Sequence, residues 1–207
     1  ASEEQSESMA GATVEWLQTQ ADLHQLSVCG SLIIKENGAH YNRFLLVRPG
    51  GDAIETYDKR HLFRMAGEHN HFDSGVERKV FTLKGVRICP QVCYDLRFPV
   101  FARNQNDYDA LLVVANWPAK RRLHWRSLLT ARAIENQAYV IGVNRIGKDG
   151  NDIEYSGDSG LINPQGEWLS DLESANASST VELDTAIIER YRAEFPAWMD
   201  RDQFSLE

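Results

Sequence analysis

The uninterrupted apolar run Ala110–Ala115 (ALLVVA) constrains the fold more than any other segment of the sequence. A strand that has no polar position on either side must be buried on both faces, as parallel strands are when helices cover their sheet. A helical pattern follows at Arg122–Asn136, with its apolar residues on one side, and a second buried-strand pattern follows at 139–143. This alternation predicts an α/β or mixed-sheet domain with helices covering the sheets, but it does not fix the topology.

The N-terminal third of the chain adds hairpin signals to this alternation. Asn37-Gly38 favours a tight turn between strands predicted at 28–34 and 41–47. The other predicted helices are at 9–25, capped by Ser8 or Thr13, directly after Pro99, and at 185–191. The other predicted strands are a short one through Ile54 and Tyr57, and those at 80–83, Val86–Val92 and 180–183. A long polar loop is predicted at 59–75. A loop of this length inside a compact domain is usually functional.

Composition limits the partners of the chain. The 207 residues carry a net charge of −8, which argues against nucleic acid, because phosphate binding needs a positive face. The basic cluster of Lys120, Arg121 and Arg122, together with Arg126 and Arg132, is expected to be a solvated helix face. No apolar run reaches membrane-spanning length, and the three cysteines form no disulfide framework. We therefore expect a cytoplasmic protein without nucleic-acid or membrane partners.

Cys93 is the strongest candidate for a reactive residue. It follows the predicted strand Val86–Val92 and precedes a turn into a short helix. Such a turn presents a nucleophile at the carboxyl edge of a sheet and directs free backbone N–H groups at a developing oxyanion. The alternative is that Cys93 is a small buried hydrophobic residue, the usual role of an intracellular cysteine.

Sequence motifs decide between these alternatives, because several segments resemble the nitrilase superfamily of carbon–nitrogen hydrolases. The matching segments are 57–63 (YDKRHLF), which resembles the lysine motif, 88–99 (ICPQVCYDLRFP), which resembles the nucleophile motif, and 115–118 (ANWP), 132–139 (RAIENQAY) and 163–166 (NPQG), which follow in the same order. The most similar subgroup is the bacterial omega-amidases, where the match extends to 195–198 (FPAW).

The resemblance implies a helix–sheet–sheet–helix (αββα) four-layer sandwich and a catalytic set of Glu, Lys and Cys. The Cys thiolate attacks an amide carbonyl, ammonia leaves, and water hydrolyses the thioester. By motif position Cys93 is the nucleophile. Lys59 stabilises the tetrahedral intermediate together with the backbone N–H of Tyr94. The alternative for Lys59 alone is an exposed surface lysine.

The sequence departs from the family at the general base. The family carries this Glu after its first strand, in an apolar segment followed by Pro-Glu, and this sequence has no such segment. Glu3, Glu4 and Glu7 lie in a polar stretch, and Glu15 lies in a predicted helix. We therefore assign the catalytic Glu to no residue. Residues 1–207 are expected to form a single carbon–nitrogen hydrolase domain that lacks its first strand and helix, as part of a longer protein.

Other residues near these motifs have two interpretations each. Glu68 corresponds to a second family Glu that positions substrate and lysine, but a solvated loop carboxylate is an equal alternative. Asn116 and Trp117 follow a buried strand and are expected to approach the pocket, because ligands gather at the carboxyl edge. Trp117 could equally be a core or dimer residue. Glu135 is expected to make a structural hydrogen bond.

No metal or organic cofactor is expected. The histidines that could be considered as zinc ligands are His61, His69 and His71. They have no cysteine pair beside them, and zinc needs at least three protein ligands in a suitable arrangement. The spacing of Cys89 and Cys93 does not match C-x-x-C, so Cys89 and also Cys29 are expected to be core residues.

The resemblance predicts hydrolysis of the terminal amide of small dicarboxylic acid monoamides, such as 2-oxoglutaramate, to the acid and ammonia. The substrate carboxylate requires a cation, for which the candidates are Arg60, Arg64, Arg97 and Arg121. The alternatives are another amide, carbamoyl or nitrile hydrolase of the superfamily, or an inactive fragment or binding module without the catalytic Glu. A homodimer is expected, with 122–136 and the C-terminal tail as its interface.

Overall fold

The computed structural model describes residues 2–51 and 53–206. These residues form two compact units, of which the first ends at Lys79 and the second begins at Val80. The helices are α1 (Ser2–Gln5), α2 (Ala12–His24), α3 (Pro99–Ala102), α4 (Arg122–Asn136) and α5 (Thr185–Glu194). The strands are β1 (Val28–Glu36), β2 (Ala39–Val47), β3 (Glu55–Asp58), β4 (Phe81–Leu83), β5 (Val86–Val92), β6 (Ala110–Ala115), β7 (Tyr139–Asn144), β8 (Ile146–Lys148), β9 (Glu154–Ser156), β10 (Gly160–Ile162) and β11 (Trp168–Asp171).

The first unit contains an antiparallel sheet in the order β1-β2-β3. Glu36 pairs with Ala39, which leaves Asn37 (φ 51°) and Gly38 (φ 82°) as a two-residue turn. Positive φ at both turn positions is the geometry that Asn-Gly adopts at low cost, so the predicted hairpin is confirmed.

Helix α2 covers this sheet. Val14, Leu17 and Ala21 pack with Ile34 and Leu45 in one buried cluster, so the predicted amphipathic helix is confirmed.

The predicted side-chain caps of this helix are wrong. The N-cap residue is Gly11, which has no side chain to accept a hydrogen bond, and the Glu7 carboxylate instead accepts from the backbone N–H of Thr13 at 2.9 Å. A carboxylate at this position pairs with an otherwise free N–H group and interacts favourably with the positive end of the helix dipole. A Cβ at Gly11 would collide with the Glu7 side chain. Glycine is therefore required where the sequence analysis placed Ser8 or Thr13 as the cap.

The second unit contains a six-stranded sheet in the order β11-β10-β7-β6-β5-β4. Its central strands β5, β6 and β7 are parallel, and the pairs at its edges are antiparallel. Helix α4 connects β6 to β7, and Trp125, Leu129 and Ala133 are fully buried in the cluster that includes Val113 and Val140. Both β6 and α4 have the predicted bounds. The α/β prediction is confirmed as mixed helix and sheet.

Two details of the second unit differ from the sequence analysis. The strand predicted at 180–183 is wrong, because these residues are irregular and mostly exposed, and β11 forms the edge of the sheet instead. No strand of the described residues pairs with this segment. The hairpin β8–β9 was not predicted, because its strands are short and carry no clear apolar period.

Among the described residues, no helix is both long and apolar enough to cross a membrane. The prediction that 1–207 forms a single domain stays a prediction.

Gln91 on β5 is a buried residue of the second unit whose side-chain amide is unpaired within the described part of the chain. Its side chain is fully buried, and neither amide atom has a hydrogen-bond partner among the described residues. An unpaired buried amide costs free energy that a leucine of similar volume does not. We expect Gln91→Leu to raise the free energy of unfolding by about 1–2 kcal/mol, measured by urea denaturation.

Asn104 provides the control, because its buried amide donates to the carbonyl oxygens of Tyr108 and Asn136 at 2.9 and 3.1 Å. Asn104→Leu should lower the stability, since it leaves these carbonyls unpaired. A loss of stability in Gln91→Leu would contradict the assignment of Gln91 as an unpaired amide.

Candidate active site

Cys93 is the first residue of the 3₁₀ turn Cys93–Arg97, which begins directly after β5. Its φ of 49° lies in the left-handed region, which residues with a Cβ rarely adopt. The side chain is partly exposed, whereas Val92 before it and Leu96 after it are buried. The fold therefore holds a strained cysteine at the carboxyl edge of a parallel sheet, where strain is typical of functional residues.

Buried polar groups fix this turn. The Asp95 carboxylate accepts from the backbone N–H of Val92 at 3.1 Å, and Asp95 is completely inaccessible. Arg132 on α4 is also buried and donates to the Leu96 carbonyl at 2.7 Å, so its expected place on a solvated helix face is wrong. Glu135 accepts from Arg132 at 2.9 Å, so the expected structural hydrogen bond of Glu135 is present. The segment 132–139 thus holds the backbone that carries Cys93.

Asn116 follows β6 and meets Cys93 through its backbone. The Cys93 Sγ lies 3.9 Å from the Asn116 carbonyl oxygen, and the Asn116 residue is exposed. The structure therefore brings these two predicted residues together.

Trp117 has a different environment, because only 3% of it is exposed and it packs in the core cluster against Trp125. This burial agrees with the core alternative for Trp117.

Asn144, the last residue of β7, lies at this edge and was not predicted from the sequence. Its side-chain oxygen accepts from the Trp117 N–H at 2.7 Å, and its side-chain nitrogen donates to the carbonyls of Trp117 and Gly157 at 3.2 and 2.9 Å. This buried amide fixes the segment after β6. A polar residue at the end of a buried strand, beside the end of a neighbouring parallel strand, was the signal that could have identified it.

Tyr94 and Arg97 form the outer part of the Cys93 turn. Tyr94 packs edge-on against Phe98, with ring centroids 5.1 Å apart. The Arg97 guanidinium lies 4.8 Å from the Trp117 ring centroid, and its Nη2 is 3.0 Å from Nδ1 of His124. Arg97 is thus held beside the nucleophile turn by an aromatic ring and an imidazole.

In the first unit, Lys59 follows β3 and forms an ion pair with Glu68. The Lys59 ammonium lies 2.8 and 2.6 Å from the two Glu68 carboxylate oxygens, and only 3% of Lys59 is exposed. Glu68 also accepts from the Phe63 N–H at 2.6 Å and from the Asn42 amide at 3.3 Å. Lys59 is therefore not an exposed surface lysine, and Glu68 is not a solvated loop carboxylate.

The remaining candidates of loop 59–75 do not form such a cluster. Arg60 donates to the Gly75 carbonyl at 3.4 Å, and Arg64 is exposed in a 3₁₀ turn. His69 and His71 are exposed. Within 2–51 and 53–206, no group of three or more His, Cys, Asp or Glu side chains is placed to hold a metal ion.

A groove of about 750 Å³ lies elsewhere on the second unit. It is lined by residues of β7 and β10, by Arg145 and by the irregular segment after β11, and Cys93 is not among its lining residues. The reactive candidate therefore lies outside this groove.

The ion pair of the first unit leads to a stability prediction. Removing one partner of a buried pair leaves an uncompensated charge, so Glu68→Gln should lower the free energy of unfolding by about 3 kcal/mol. Chemical denaturation measures this change. The control is Glu77→Gln, which removes a carboxylate from the exposed pair of Glu77 and Lys79 and should have no measurable effect. Equal effects of the two substitutions would contradict the structural importance of the Lys59–Glu68 pair.

The three cysteines should differ in reactivity, because the thiolate is the reactive form. Burial raises the pKa of the Cys29 thiol to about 11, and Cys89 is only 1% exposed. At neutral pH we therefore expect iodoacetamide to modify Cys93 first, as followed by peptide mass spectrometry over time. Labelling of Cys29 should increase as the pH approaches 11. Equal rates at Cys29 and Cys93 at neutral pH would refute this order.

Comparisons with known proteins agree with these features. A family model described as carbon-nitrogen hydrolase matches residues 2–193. "Omega-amidase YafV" of Escherichia coli (strain K12) is 53% identical over 194 residues, which are 93% of this chain and 75% of the relative. "2-oxoglutaramate amidase" of Bacillus subtilis (strain 168) is 35% identical over 188 residues, which are 89% of this chain and 72% of the relative.

A solved structure is similar over the whole described fold. The crystal structure of XC1258 from Xanthomonas campestris, a CN-hydrolase superfamily protein with an arsenic adduct in the active site, has a TM-score of 0.95 and 43% identity. The alignment covers 98% of this chain and 79% of that chain. The family match, the sequence identity and this shared fold lead to one conclusion: the chain belongs to the carbon-nitrogen hydrolase family.

Proposed function

We propose that this protein hydrolyses the terminal amide of small dicarboxylic acid monoamides, such as 2-oxoglutaramate, to the acid and ammonia. The observation that carries this proposal is the partly exposed Cys93 on a left-handed turn at the carboxyl edge of β5. Relatives named omega-amidase and 2-oxoglutaramate amidase, at 53% and 35% identity, support the substrate class.

In the proposed reaction, the Cys93 thiolate attacks the amide carbonyl carbon and forms a C–S bond, while the carbonyl π electrons move to the oxygen. The Tyr94 N–H and the Lys59 ammonium stabilise this oxyanion. The C–N bond then breaks, and the nitrogen takes a proton and leaves as ammonia. Water attacks the resulting thioester, which releases the acid and returns the thiol to Cys93. The carboxylate that transfers these protons is assigned to no residue of this chain.

The Lys59–Glu68 pair gives the proposed role of Lys59 a physical basis. A lysine has many rotamers, and fixing them costs entropy at the moment of reaction unless the side chain is already held. Both Glu68 oxygens contact the ammonium, and Glu68 is itself held by Phe63 and Asn42. We infer that Glu68 positions Lys59, while Asn116 borders the nucleophile.

We also propose that the protein acts in the cytoplasm as a homodimer and as one hydrolase domain, without nucleic-acid or membrane partners. All three cysteines are free, and the net charge is −8. Exposed apolar side chains lie where the interface was expected: Leu123 and Ile134 on α4, with 75% and 50% exposed, and Phe195 and Met199 near the C-terminus, with 57% and 66% exposed. Sedimentation would detect the dimer.

The test is ammonia release from 2-oxoglutaramate by the purified protein. Cys93→Ala should lower the rate by at least about 10³-fold, as expected when a covalent nucleophile is removed. Cys29→Ala is the matched control, because it removes a thiol that burial keeps protonated, and it should keep the parent rate.

Undiminished turnover in Cys93→Ala would refute the assignment of the nucleophile. Carbamoyl and nitrile compounds of the same chain length should be poorer substrates than the amide. Preference for one of them would replace the proposed substrate class. If the parent hydrolyses none of these compounds while iodoacetamide still modifies Cys93, the alternative of a binding module or an inactive hydrolase is favoured.

A further inference from the structure

The unpredicted hairpin β8–β9 lies beside the nucleophile turn within the second unit. Arg145, just before β8, donates its backbone N–H to the Ala115 carbonyl at 3.3 Å. Tyr155 on β9 forms a bridge with Pro118. The segment from Ala115 to Pro118 therefore contacts the residue before β8 and the middle of β9, and its Asn116 carbonyl lies 3.9 Å from the Cys93 Sγ.

The hydroxyl of Tyr155 is fixed by Asp149, which accepts from it at 2.8 Å. Asp149 also accepts from the backbone N–H groups of Asn151 and Ile153 at 2.8 and 3.0 Å. Burial, followed by the hydrogen bond to Asp149, raises the pKa of Tyr155 to about 12. At neutral pH the Tyr155 hydroxyl therefore stays protonated and keeps its hydrogen bond to Asp149.

Arg145 is held on this tyrosine. Its guanidinium lies 4.7 Å from the Tyr155 ring centroid, and its Nη2 donates to the Lys148 carbonyl at 3.2 Å. The Arg145 residue is exposed and forms no direct ion pair among the described residues, but its charge is one of the causes, after the hydrogen bond from Tyr155, that lower the pKa of Asp149. Other arginines of this unit are paired: Arg87 with Asp109, Arg122 and Arg126 with Asp158, and Arg132 with Glu135.

We propose that Arg145 binds the free carboxylate of the substrate and thereby selects dicarboxylic acid monoamides over uncharged amides. This inference rests on the proposed function and names the residue that sets its substrate class. A guanidinium presents parallel N–H groups that match both oxygens of a carboxylate. The cation–π contact with the Tyr155 ring fixes the guanidinium, and the hydrogen bond from Tyr155 to Asp149 fixes the ring. Arg145 was not among the arginines that the sequence analysis considered.

The first test uses the reaction of Cys93 with two alkylating agents of similar size, anionic iodoacetate and neutral iodoacetamide. The thiolate displaces iodide from both, so their rate ratio reports the local preference for a carboxylate. Arg145→Gln should lower the iodoacetate-to-iodoacetamide ratio by about tenfold, the effect of one charge-assisted hydrogen bond. Arg145→Lys should lower this ratio less, because a lysine keeps the charge but cannot bind a carboxylate in a bidentate manner.

Lys148→Gln is the matched control, because it removes one positive charge from the same hairpin, where Lys148 is paired with Glu154 at 3.4 Å. It should leave the ratio near the parent value. Arg97→Gln tests the competing cation beside Trp117. An unchanged ratio in Arg145→Gln, or an equal fall in Lys148→Gln or Arg97→Gln, would overturn the proposal.

The second test compares kcat/KM for 2-oxoglutaramate with that for an uncharged amide of the same chain length. Arg145→Gln should lower the ratio of these two values, mainly by raising KM for 2-oxoglutaramate. A parent protein without turnover would refute the proposed function, while a fall of the alkylation ratio in Arg145→Gln would still support the carboxylate subsite. Turnover by the parent with both ratios unchanged in Arg145→Gln would refute the subsite alone.

Discussion

The second unit depends on the packing of α4 against the parallel strands β5, β6 and β7. Trp125 and Leu129 are fully buried in this contact. A Cβ at Gly142 of β7 would lie 2.6 Å from the Leu129 side chain, so glycine permits the close approach of helix and strand. Because the three strands are parallel and in register, their carboxyl ends meet at one edge. The residues that follow them are therefore neighbours.

At this edge the fold uses buried polar side chains to hold irregular backbone. Arg132 binds the Leu96 carbonyl and Asn144 binds both backbone groups of Trp117. Each of these side chains forms hydrogen bonds with backbone groups that would otherwise be unpaired in the protein interior. The strained φ of Cys93 can persist because these contacts fix the turn around it. Stability of the core and accessibility of the thiol are thus provided by different side chains.

The charges of the protein fall into two kinds. Lys59 and Glu68 satisfy each other within the first unit, and Asp158 is fully buried between Arg122 and Arg126 in the second. Such pairs fix geometry and are unfavourable to break. Arg145 is held by a ring and a backbone carbonyl and is exposed, so its guanidinium is accessible to an external anion. This difference separates structural cations from a candidate binding cation.

The sequence by itself determined the local elements and the residues of the motifs. The apolar run of β6, the period of α4 and Asn37-Gly38 specify their elements through burial and backbone preference, and the motifs select Cys93, Lys59 and Glu68 as candidate site residues. Only the tertiary structure decided the rest. Asn144 and Arg145 carry no local signal, because their roles arise from neighbours that the sheet brings to the end of β6. The strand expected at 180–183 does not form, since a strand needs a partner strand and none of the described strands pairs with this segment.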